Sequence, residues 1–536
     1  MSDADLSPAP ASSAALGAQP RGRTWPRGVV ILVLAILLVS AGLRLYQLGT
    51  PGEGTPGHHM FDEVYYAKDA KAIVDGRVGP RKGELRWWPG DEISWGHPEA
   101  GKLAIALGII VLGDRPLGWR LPSVIAGLAI LACVYPIASR LGLPRRWALV
   151  ALLFAACDLL GIAQSRIAML DIFVAAWTTF CLLAALRFVQ DGERLRWLLA
   201  TGIAGGLAVS TKWSGALAPL AAAAIVIMVR ALPKVGRADA ATSPDRRPRR
   251  SWWTLSALGV LCLVVLPAAI YVVSYAQYFA SGHSLADFRE LHSQMWHWNL
   301  NLHAHHSYAS QPPTGLFDYR PVWYLFVDQG ETYRSLVAMG NPFLWWASAA
   351  ALVAAPLLAM RRGRAAALAP AVLVAILYLP WFATTRTSFL YYMTPVAPLM
   401  AVLLAAVLWV LEGGRSRAPT RVWPRPALVT AVGAATVTAL FWWPIARRAA
   451  IVLWGELPGP AGPGIAKFAA ATAIAVAVLA AAAVLVPKRL EPARQLAVWA
   501  FVGVVCGIVV PFLPIVMGTP ISPDDFYRLI WFPSWI

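Results

Sequence analysis

The chain has 536 residues, of which 58% are hydrophobic and only 14% charged, and its mean hydropathy is +0.58. A typical soluble domain is about 45–50% apolar and about 25% charged, so this composition excludes a soluble globular enzyme, a disordered chain and a fibre. A net charge of +18 would favour nucleic-acid binding in a soluble protein. Here the basic residues lie largely in short loops between long apolar runs, which indicates an integral membrane protein that binds no nucleic acid.

Apolar runs that could cross a bilayer recur along the whole chain. Residues 1–27 are predicted to form a disordered cytoplasmic tail. The first apolar run lacks a convincing cleavage site, so we interpret it as an uncleaved span. The runs have the roughly 17–25 residues that a helix needs to cross a bilayer and predict an all-α bundle of 11–13 spans. They are 28–46, 117–138, 147–165, 171–189, 197–211, 213–231, 254–275, 341–360, 365–384, 387–411, 426–445, 465–486 and 496–516.

The basic loops predict the orientation of these spans. Arg and Lys clusters recur in alternate loops on the side of the N-terminus, which makes that side cytoplasmic. Two long polar loops, 47–116 and 276–340, are then extracytoplasmic. The chain is thereby divided into an N-terminal transmembrane module over 28–275, the second outer loop, and a C-terminal transmembrane module over 341–536.

The first outer loop holds two adjacent carboxylates, Asp62 and Glu63, in the stretch FDEVYYAKDA. The apolar and aromatic spacing of this stretch predicts an amphipathic helix at the membrane surface. Adjacent residues on a helix cannot face the same way, so one carboxylate can point into a cavity while the other makes supporting contacts. A carboxylate there could deprotonate a hydroxyl nucleophile. The alternative is a solvated acidic pair near a helix start.

Several ionisable residues lie at or near the outer ends of the spans, where they could form a cationic pocket for a lipid-linked phosphate. An ionisable group inside a membrane span is costly and therefore a functional candidate. The alternatives are snorkelling to lipid headgroups and, for Arg166 with Asp171, a structural ion pair. The candidates are Arg44, His97, Lys102, Arg120, Arg166, Asp171, Lys212 and Arg386, and Asp158 is a further charged residue near an outer end.

The second outer loop is rich in Trp, His and Tyr. His303, His305 and His306 have a spacing that occurs in metal sites, but no Cys or paired carboxylate completes a ligand set, so we predict no metal. The aromatic residues, including Tyr308, fit either an interfacial belt or a platform on which a sugar stacks. The sequence contains no P-loop, Rossmann glycine fingerprint or GxSxG elbow. A group donor would therefore be lipid-borne, and no cofactor is implied.

Eight short motifs occur in the same order as in one family of enzymes. The chain resembles the actinobacterial protein O-mannosyltransferases, which belong to the GT-C superfamily and use dolichyl- or polyprenyl-phosphate-mannose. The motifs run across roughly residues 40 to 400, and their ordered co-occurrence is more specific than any one of them. They are FDEVYYAKDA (61–70), HPEAGK (97–102), SRIAMLDIF (165–173), TKWSG (211–215), HSYAS (306–310), RPVWY (320–324), GNP (340–342) and YYMTPVAP (391–398).

This resemblance implies a GT-C-type bundle whose active site lies at the outer face of the cell membrane. It implies inverting transfer of mannose from the lipid phosphate to Ser or Thr of secreted proteins. Asp62 inherits the role of general base and Glu63 that of its partner, while His306 and Tyr308 would face the acceptor. A secretion translocon is a further partner that this location allows. One departure is Glu99, which stands where the family commonly has a second proline.

Three other functions remain open from the sequence. The first is another GT-C enzyme that moves a different sugar or uses a lipid or glycan acceptor. The second is a polytopic transporter with intramembrane charges along its path, although no internal repeat supports it. The third is a lipid-flipping or scaffold protein without chemistry.

Overall fold

The structure is a computed structural model of the chain. It describes residues 25–52, 55, 58–75, 93–231, 250–302, 306–362, 367–384, 386–414, 429, 431–432, 435–436 and 491–536. The predicted tail over 1–27 therefore lies almost wholly outside the described residues, as do the predicted spans 426–445 and 465–486.

Helices account for most of the described residues. Seven helical segments of at least 18 residues are apolar enough to cross a membrane, and four shorter apolar helices accompany them. The multi-span helical bundle predicted from the sequence is therefore confirmed. The helices are α1 (Arg27–Leu45), α2 (Glu63–Val74), α3 (Ala100–Leu112), α4 (Pro116–Arg140), α5 (Arg145–Ala156), α6 (Leu159–Gln164), α7 (Leu170–Gln190), α8 (Leu195–Thr211), α9 (Leu217–Ala231), α10 (Trp252–Val260), α11 (Leu266–Ser274), α12 (Ala276–Ala280), α13 (Leu285–Asn301), α14 (Pro342–Arg362), α15 (Leu368–Tyr378), α16 (Ala397–Glu412), α17 (Glu491–Gly507), α18 (Val509–Met517) and α19 (Pro523–Leu529).

Some predicted spans are divided in the structure. The predicted single span 147–165 consists of α5 and α6, because Asp158 interrupts it. One oxygen of Asp158 accepts the N–H of Gly161 at 3.1 Å and thereby caps α6. Its other oxygen accepts the indole N–H of Trp345 at 2.8 Å. The single-span prediction was wrong here because apolar residues on both sides hid this helix cap.

The bundle is built around α7, which packs against α4, α8 and α9. Most of the side chains of α7 are buried, as expected for a central helix. Gly202 in α8 lets that helix approach the π-helical turn Leu261–Val265 between α10 and α11 closely. A Cβ at Gly202 would lie 2.0 Å from the carbonyl oxygen of Cys262, so no larger residue fits this crossing without a shift.

The second outer loop contributes a small antiparallel sheet that the sequence did not predict. Its strands are β1 (Val322–Asp328), β2 (Tyr333–Ala338) and β3 (Pro520–Ile521), in the order β1-β2-β3. β3 lies just after α18, so the sheet joins the second outer loop to the end of the chain. This connection fixes the position of β1, which carries Tyr324.

The two ends of α4 mark the two ends of the bundle. Arg120 near its start bonds to Glu63 at 2.9 Å, and Arg140 in its last turn pairs with Asp191 at 2.9 Å. Twenty residues of α-helix separate the two arginines, which is about 30 Å. The Asp62–Glu63 loop and the loops that carry Arg145 and Arg194 therefore lie at opposite ends of the bundle.

Candidate active site

Glu63 is the first residue of α2, and its carboxylate accepts four hydrogen bonds. Arg120 donates two of them, from Nε to Oε1 and from Nη2 to Oε2, each 2.9 Å long. The backbone N–H groups of Met60 and Ala168 donate the other two, also at 2.9 Å. The residue is 0% exposed. Glu63 is therefore placed to hold the loop rather than to touch a substrate.

Asp62 lies next to Glu63 in a different environment. Its side chain is half-buried and accepts no hydrogen bond from the residues that the structure describes. Burial raises the pKa of Asp62 to about 6; the positive charge of Lys212 acts against this shift and the negative charge of Asp171 adds to it. A carboxylate with free oxygens and a pKa near neutral pH is suited to accept a proton from a hydroxyl group.

Lys212 and Asp171 form the ion pair that faces Asp62. The ammonium of Lys212 lies 2.9 and 3.1 Å from the two carboxylate oxygens of Asp171, and both side chains are nearly buried. The same ammonium lies 4.2 Å from the ring centroid of Tyr392, a cation–π distance. Asp171, in the first turn of α7, is thus paired with Lys212 and not with Arg166, so the structural pair considered from the sequence is wrong.

Aromatic side chains form one wall beside Asp62. The ring of Phe61 lies 5.1 Å from that of Tyr324 and 6.0 Å from that of Tyr391. The hydroxyl of Tyr324 accepts a hydrogen bond of 2.8 Å from Gln164. Burial raises the pKa of Tyr66 well above its ordinary value, and the negative charge of Asp62 adds to the shift. The wall therefore offers neutral aromatic faces and hydroxyl groups to a ligand.

We call the cluster of Asp62, Lys212 and Tyr392 the candidate pocket, and a histidine and a second cation lie beside it. Burial, followed by the charges of Lys212 and Arg386, lowers the pKa of His97 well below its ordinary value, so this histidine is neutral. Arg386 donates to the side-chain oxygen of Asn299 and, at 3.3 Å, to the hydroxyl of Tyr392. Arg386 forms no ion pair with a carboxylate among the described residues, which leaves its positive charge available for an anion.

Lys102 does not share this pocket. Its ammonium lies 3.2 Å from Asp69 and 3.1 Å from Glu99 and also donates to the backbone carbonyl of Ser94. All of its donors are therefore engaged, and the residue is 0% exposed. Glu99, the departure from the family motif, contributes one of the two carboxylates that neutralise this lysine.

Three other predicted phosphate ligands also have internal partners. Arg120 binds Glu63, as described above, and Arg44 donates to Ser165 at 3.1 Å. Arg166 donates to the carbonyls of Leu43 and Arg44 at the end of α1, both at 2.9 Å, and to that of Met517 at the end of α18, at 2.7 Å. These contacts satisfy carbonyls at two helix C-termini.

The two outer-loop candidates lie near the aromatic wall. His306 is exposed, and its ring centroid is 6.5 Å from that of Phe61. Its Nδ1 accepts the backbone N–H of Tyr308 at 3.1 Å. His303 and His305 lie outside the described residues. Within the described residues no group of three or more His, Cys, Asp or Glu side chains is arranged to hold a metal ion.

Sequence reasoning missed most of the aromatic and amide groups of the pocket. Tyr324 and the Tyr391–Tyr392 pair lie within quoted motifs, RPVWY and YYMTPVAP, but received no role. Trp298 and Asn299 follow each other in α13 and reach the rim near His97 and Arg386. Charge was the criterion for the phosphate-binding candidates, and the aromatic residues inside the motifs were the signal that could have extended it.

Comparison with known proteins agrees with this fold. The family model for dolichyl-phosphate-mannose-protein mannosyltransferase matches residues 97–281, and that for the C-terminal four-transmembrane region of protein O-mannosyltransferase matches residues 284–447. The structure of the Saccharomyces cerevisiae Pmt1-Pmt2 complex bound to the sugar donor superposes with a TM-score of 0.64 at 13% identity and covers 96% of this chain and 93% of that chain. The GT-C-type fold expected from the motifs is therefore confirmed.

Curated relatives are similar over most of the chain. A polyprenol-phosphate-mannose–protein mannosyltransferase of Corynebacterium glutamicum is 27% identical over 457 residues, which are 74% of this chain and 84% of the relative. A protein of the same name from Mycobacterium tuberculosis is 25% identical over 459 residues, which are 71% of this chain and 81% of that protein. An undecaprenyl phosphate-α-4-amino-4-deoxy-L-arabinose arabinosyl transferase of Pseudomonas aeruginosa is 32% identical over 200 residues, only 36% of this chain and 32% of that protein. The two family models together span residues 97–447 almost without a gap, and the chain belongs to the protein O-mannosyltransferase family of membrane glycosyltransferases.

Proposed function

We propose that the protein transfers mannose from polyprenyl-phosphate-mannose to Ser or Thr hydroxyl groups of secreted proteins, with Asp62 as the general base. The observation that carries the mechanism is the carboxylate of Asp62, which is half-buried, without a hydrogen bond to the described residues, and beside the ammonium of Lys212. The names of the corynebacterial and mycobacterial relatives support the choice of donor and of a protein acceptor.

The reaction is a single displacement at the anomeric carbon of mannose. The acceptor oxygen forms a bond to that carbon on the face opposite the phosphate, and its proton passes to Asp62. The bond between the anomeric carbon and the phosphate oxygen breaks, and both its electrons leave with polyprenyl phosphate. Attack from the opposite face inverts the anomeric centre without a covalent intermediate, so one base suffices. A base of this kind contributes typically about 10²–10⁴-fold to the rate.

The developing charge on the phosphate needs cations. Lys212 and Arg386 are the predicted ligands that lie at the pocket, and His97 is neutral and adds a polar group beside them. Lys102, Arg120 and the other engaged arginines support the walls instead, because carboxylates or carbonyl oxygens occupy their donors. Preorganised charges at the leaving group stabilise the transition state most strongly where water is excluded.

We place the reaction at the extracytoplasmic face of the cell membrane. The loops that carry Arg145 and Arg194 lie at the other end of the bundle, and the positive-inside rule assigns that end to the cytoplasm. Exposed positions allow a direct test: a cysteine introduced at Lys68, in α2, should react with a membrane-impermeant thiol reagent on intact cells. A cysteine at Arg145 should react only after permeabilisation, and the opposite result would reverse the orientation.

The activity is tested with purified protein in lipid nanodiscs. We expect transfer of mannose from polyprenyl-phosphate-mannose to a peptide rich in Ser and Thr, and loss of this transfer in Asp62→Asn. Undecaprenyl-phosphate-aminoarabinose is the competing donor, because the partial match to the Pseudomonas enzyme extends over 200 residues at 32% identity. Transfer from that donor alone, or to a lipid acceptor alone, would replace the proposed activity by another lipid-phosphate-sugar transfer.

A further inference from the structure

Lys212 lies in a short link between α8 and a 3₁₀ turn. It follows α8 with an extended backbone, φ −159° and ψ 141°, and precedes the 3₁₀ turn Trp213–Ala216. Its N–H donates to the carbonyl of Ala208 at 3.2 Å, and its own carbonyl accepts the N–H of Gly215 at 2.8 Å. Asp171 holds the ammonium of Lys212, and the neighbouring side chain, Trp213, adds an anchor to the backbone of the same link.

Trp213 is anchored by a chain of three hydrogen bonds. Its indole N–H donates to the hydroxyl oxygen of Tyr271 at 2.9 Å. That hydroxyl lies 2.8 Å from Nε2 of His292, whose Nδ1 lies 2.7 Å from the carbonyl oxygen of Phe288. Because a carbonyl only accepts, Nδ1 carries a proton. Tyr271 accepts from Trp213 and can donate to Nε2, so neutral His292 satisfies every bond.

The helix that carries His292 also holds the second cation of the pocket. α13 places Asn299 two turns beyond His292, and the side-chain oxygen of Asn299 accepts a hydrogen bond from Arg386. Trp298, beside it, packs against Gly96, where a Cβ would lie 3.0 Å from the indole ring. One helix of the second outer loop thus contacts the anchors of both Lys212 and Arg386.

We infer that His292, acting through Tyr271 and Trp213, is a positioning residue that sets the ammonium of Lys212 in the donor-phosphate pocket. His292 touches no reacting group; it fixes an indole, and the indole fixes the backbone of the lysine. The inference rests on the proposed function for the identity of the bound phosphate.

The test uses full-length protein in nanodiscs and matched histidine variants. His297 is the control, because it lies on the same helix and makes the same bond to the carbonyl four residues earlier, at 2.7 Å, but is exposed. We measure binding of polyprenyl phosphate, which carries no sugar, and the KM and kcat of mannose transfer. Loss of one of the hydrogen bonds that link His292 to Trp213 should weaken phosphate binding and raise the donor KM about 3- to 10-fold. The effect on kcat should be smaller.

His292→Leu and Tyr271→Phe should show this loss, and His297→Leu should not. His292→Gln should restore most of the affinity, because its amide oxygen can accept the hydroxyl of Tyr271. Equal behaviour of the Leu and Gln variants at position 292, or unchanged phosphate affinity in both His292→Leu and Tyr271→Phe, would overturn the inference. Absence of mannose transfer in the unmodified protein would overturn the proposed function instead, and the phosphate-binding arm would still decide the inference.

Discussion

Two regions of the molecule meet between Asp62 and Glu63, and they surround a carboxylate with opposite numbers of hydrogen-bond donors. Around Glu63 the structure is closed: a bidentate arginine and two backbone N–H groups saturate a carboxylate that is 0% exposed. Around Asp62 it is open: the carboxylate is half-buried, lacks such donors among the described residues, and faces Lys212. The comparison shows that adjacency in sequence says little about role, and that the available donors decide it.

The closed region determines the geometry of the open one. Phe61 has a φ of +46°, in the left-handed region that a bulky residue adopts only at a cost of about 1–3 kcal/mol. Glu63 accepts the N–H of Met60, the residue before Phe61, and also binds Arg120. These bonds hold the turn that presents Asp62 to the pocket. The two carboxylates therefore form one unit, a base and its support.

The largest effect is expected when the open carboxylate is removed. Asp62→Asn keeps the shape of the side chain but cannot accept the proton, so transfer should fall about 10²–10⁴-fold while thermal unfolding is unchanged. Mannose transfer to a Ser/Thr peptide measures the loss. Asp75→Asn, at the far end of the same helix, is the control, since Asp75 belongs to a partly exposed pair with Lys71 and should retain activity. Full activity in Asp62→Asn would assign the base to another residue.

Removal of the closed carboxylate should act on stability. Glu63→Ala leaves Arg120 as a buried cation without its carboxylate, and breaking a buried pair in this way typically costs about 3–5 kcal/mol. The midpoint of thermal unfolding in nanodiscs should fall markedly. The double variant Glu63→Met with Arg120→Met removes both charges and should recover part of the loss. An unchanged midpoint in Glu63→Ala would mean that the network does not hold the loop.

The sequence was sufficient to predict the helical bundle and to predict that the two adjacent carboxylates lie in different surroundings. Long apolar runs predicted the spans, because a bilayer imposes helix length directly. Helix geometry alone predicted that Asp62 and Glu63 would face different surroundings, and the structure has this arrangement. Which of the two is saturated could not be predicted, because the donors come from residues 120 and 168, far along the chain.

Sequence patterns could not predict which carboxylate pairs with which buried cation. Asp171 lies five residues after Arg166, and an ion pair between them was one of the alternatives, but the partner of Asp171 is Lys212, at the end of the next helix. Apolar flanks hid the cap formed by Asp158, and the sheet that holds Tyr324 depends on a strand nearly 200 residues further on. The ion pair and the third strand depend on contacts between separate parts of the chain, which periodicity does not report, whereas the cap formed by Asp158 is a local contact.

The two lysines extend the comparison, since both are buried beside carboxylates. Lys212 faces the open pocket, and a hydrogen bond to a charged group is worth about 1.5–3 kcal/mol. Lys212→Ala should therefore raise the donor KM about 10- to 150-fold. Lys102→Ala should instead lower stability, because it leaves Asp69 and Glu99 buried without their cation. Unaltered donor affinity in Lys212→Ala would indicate that Arg386, and not Lys212, binds the donor phosphate.

The pH dependence of mannose transfer should reflect the ionisation of Asp62 alone. The pKa of Asp62 is raised to about 6, and the proposed base must be ionised to accept a proton. As the pH falls through about 6, kcat/KM should therefore decline, approaching tenfold per pH unit below it, and it should level off above. Residual activity of Asp62→Asn should lack this acid limb, whereas Asp75→Asn should keep it. An acid limb of the same midpoint in Asp62→Asn would show that another group titrates, because an asparagine has no proton to lose in this range.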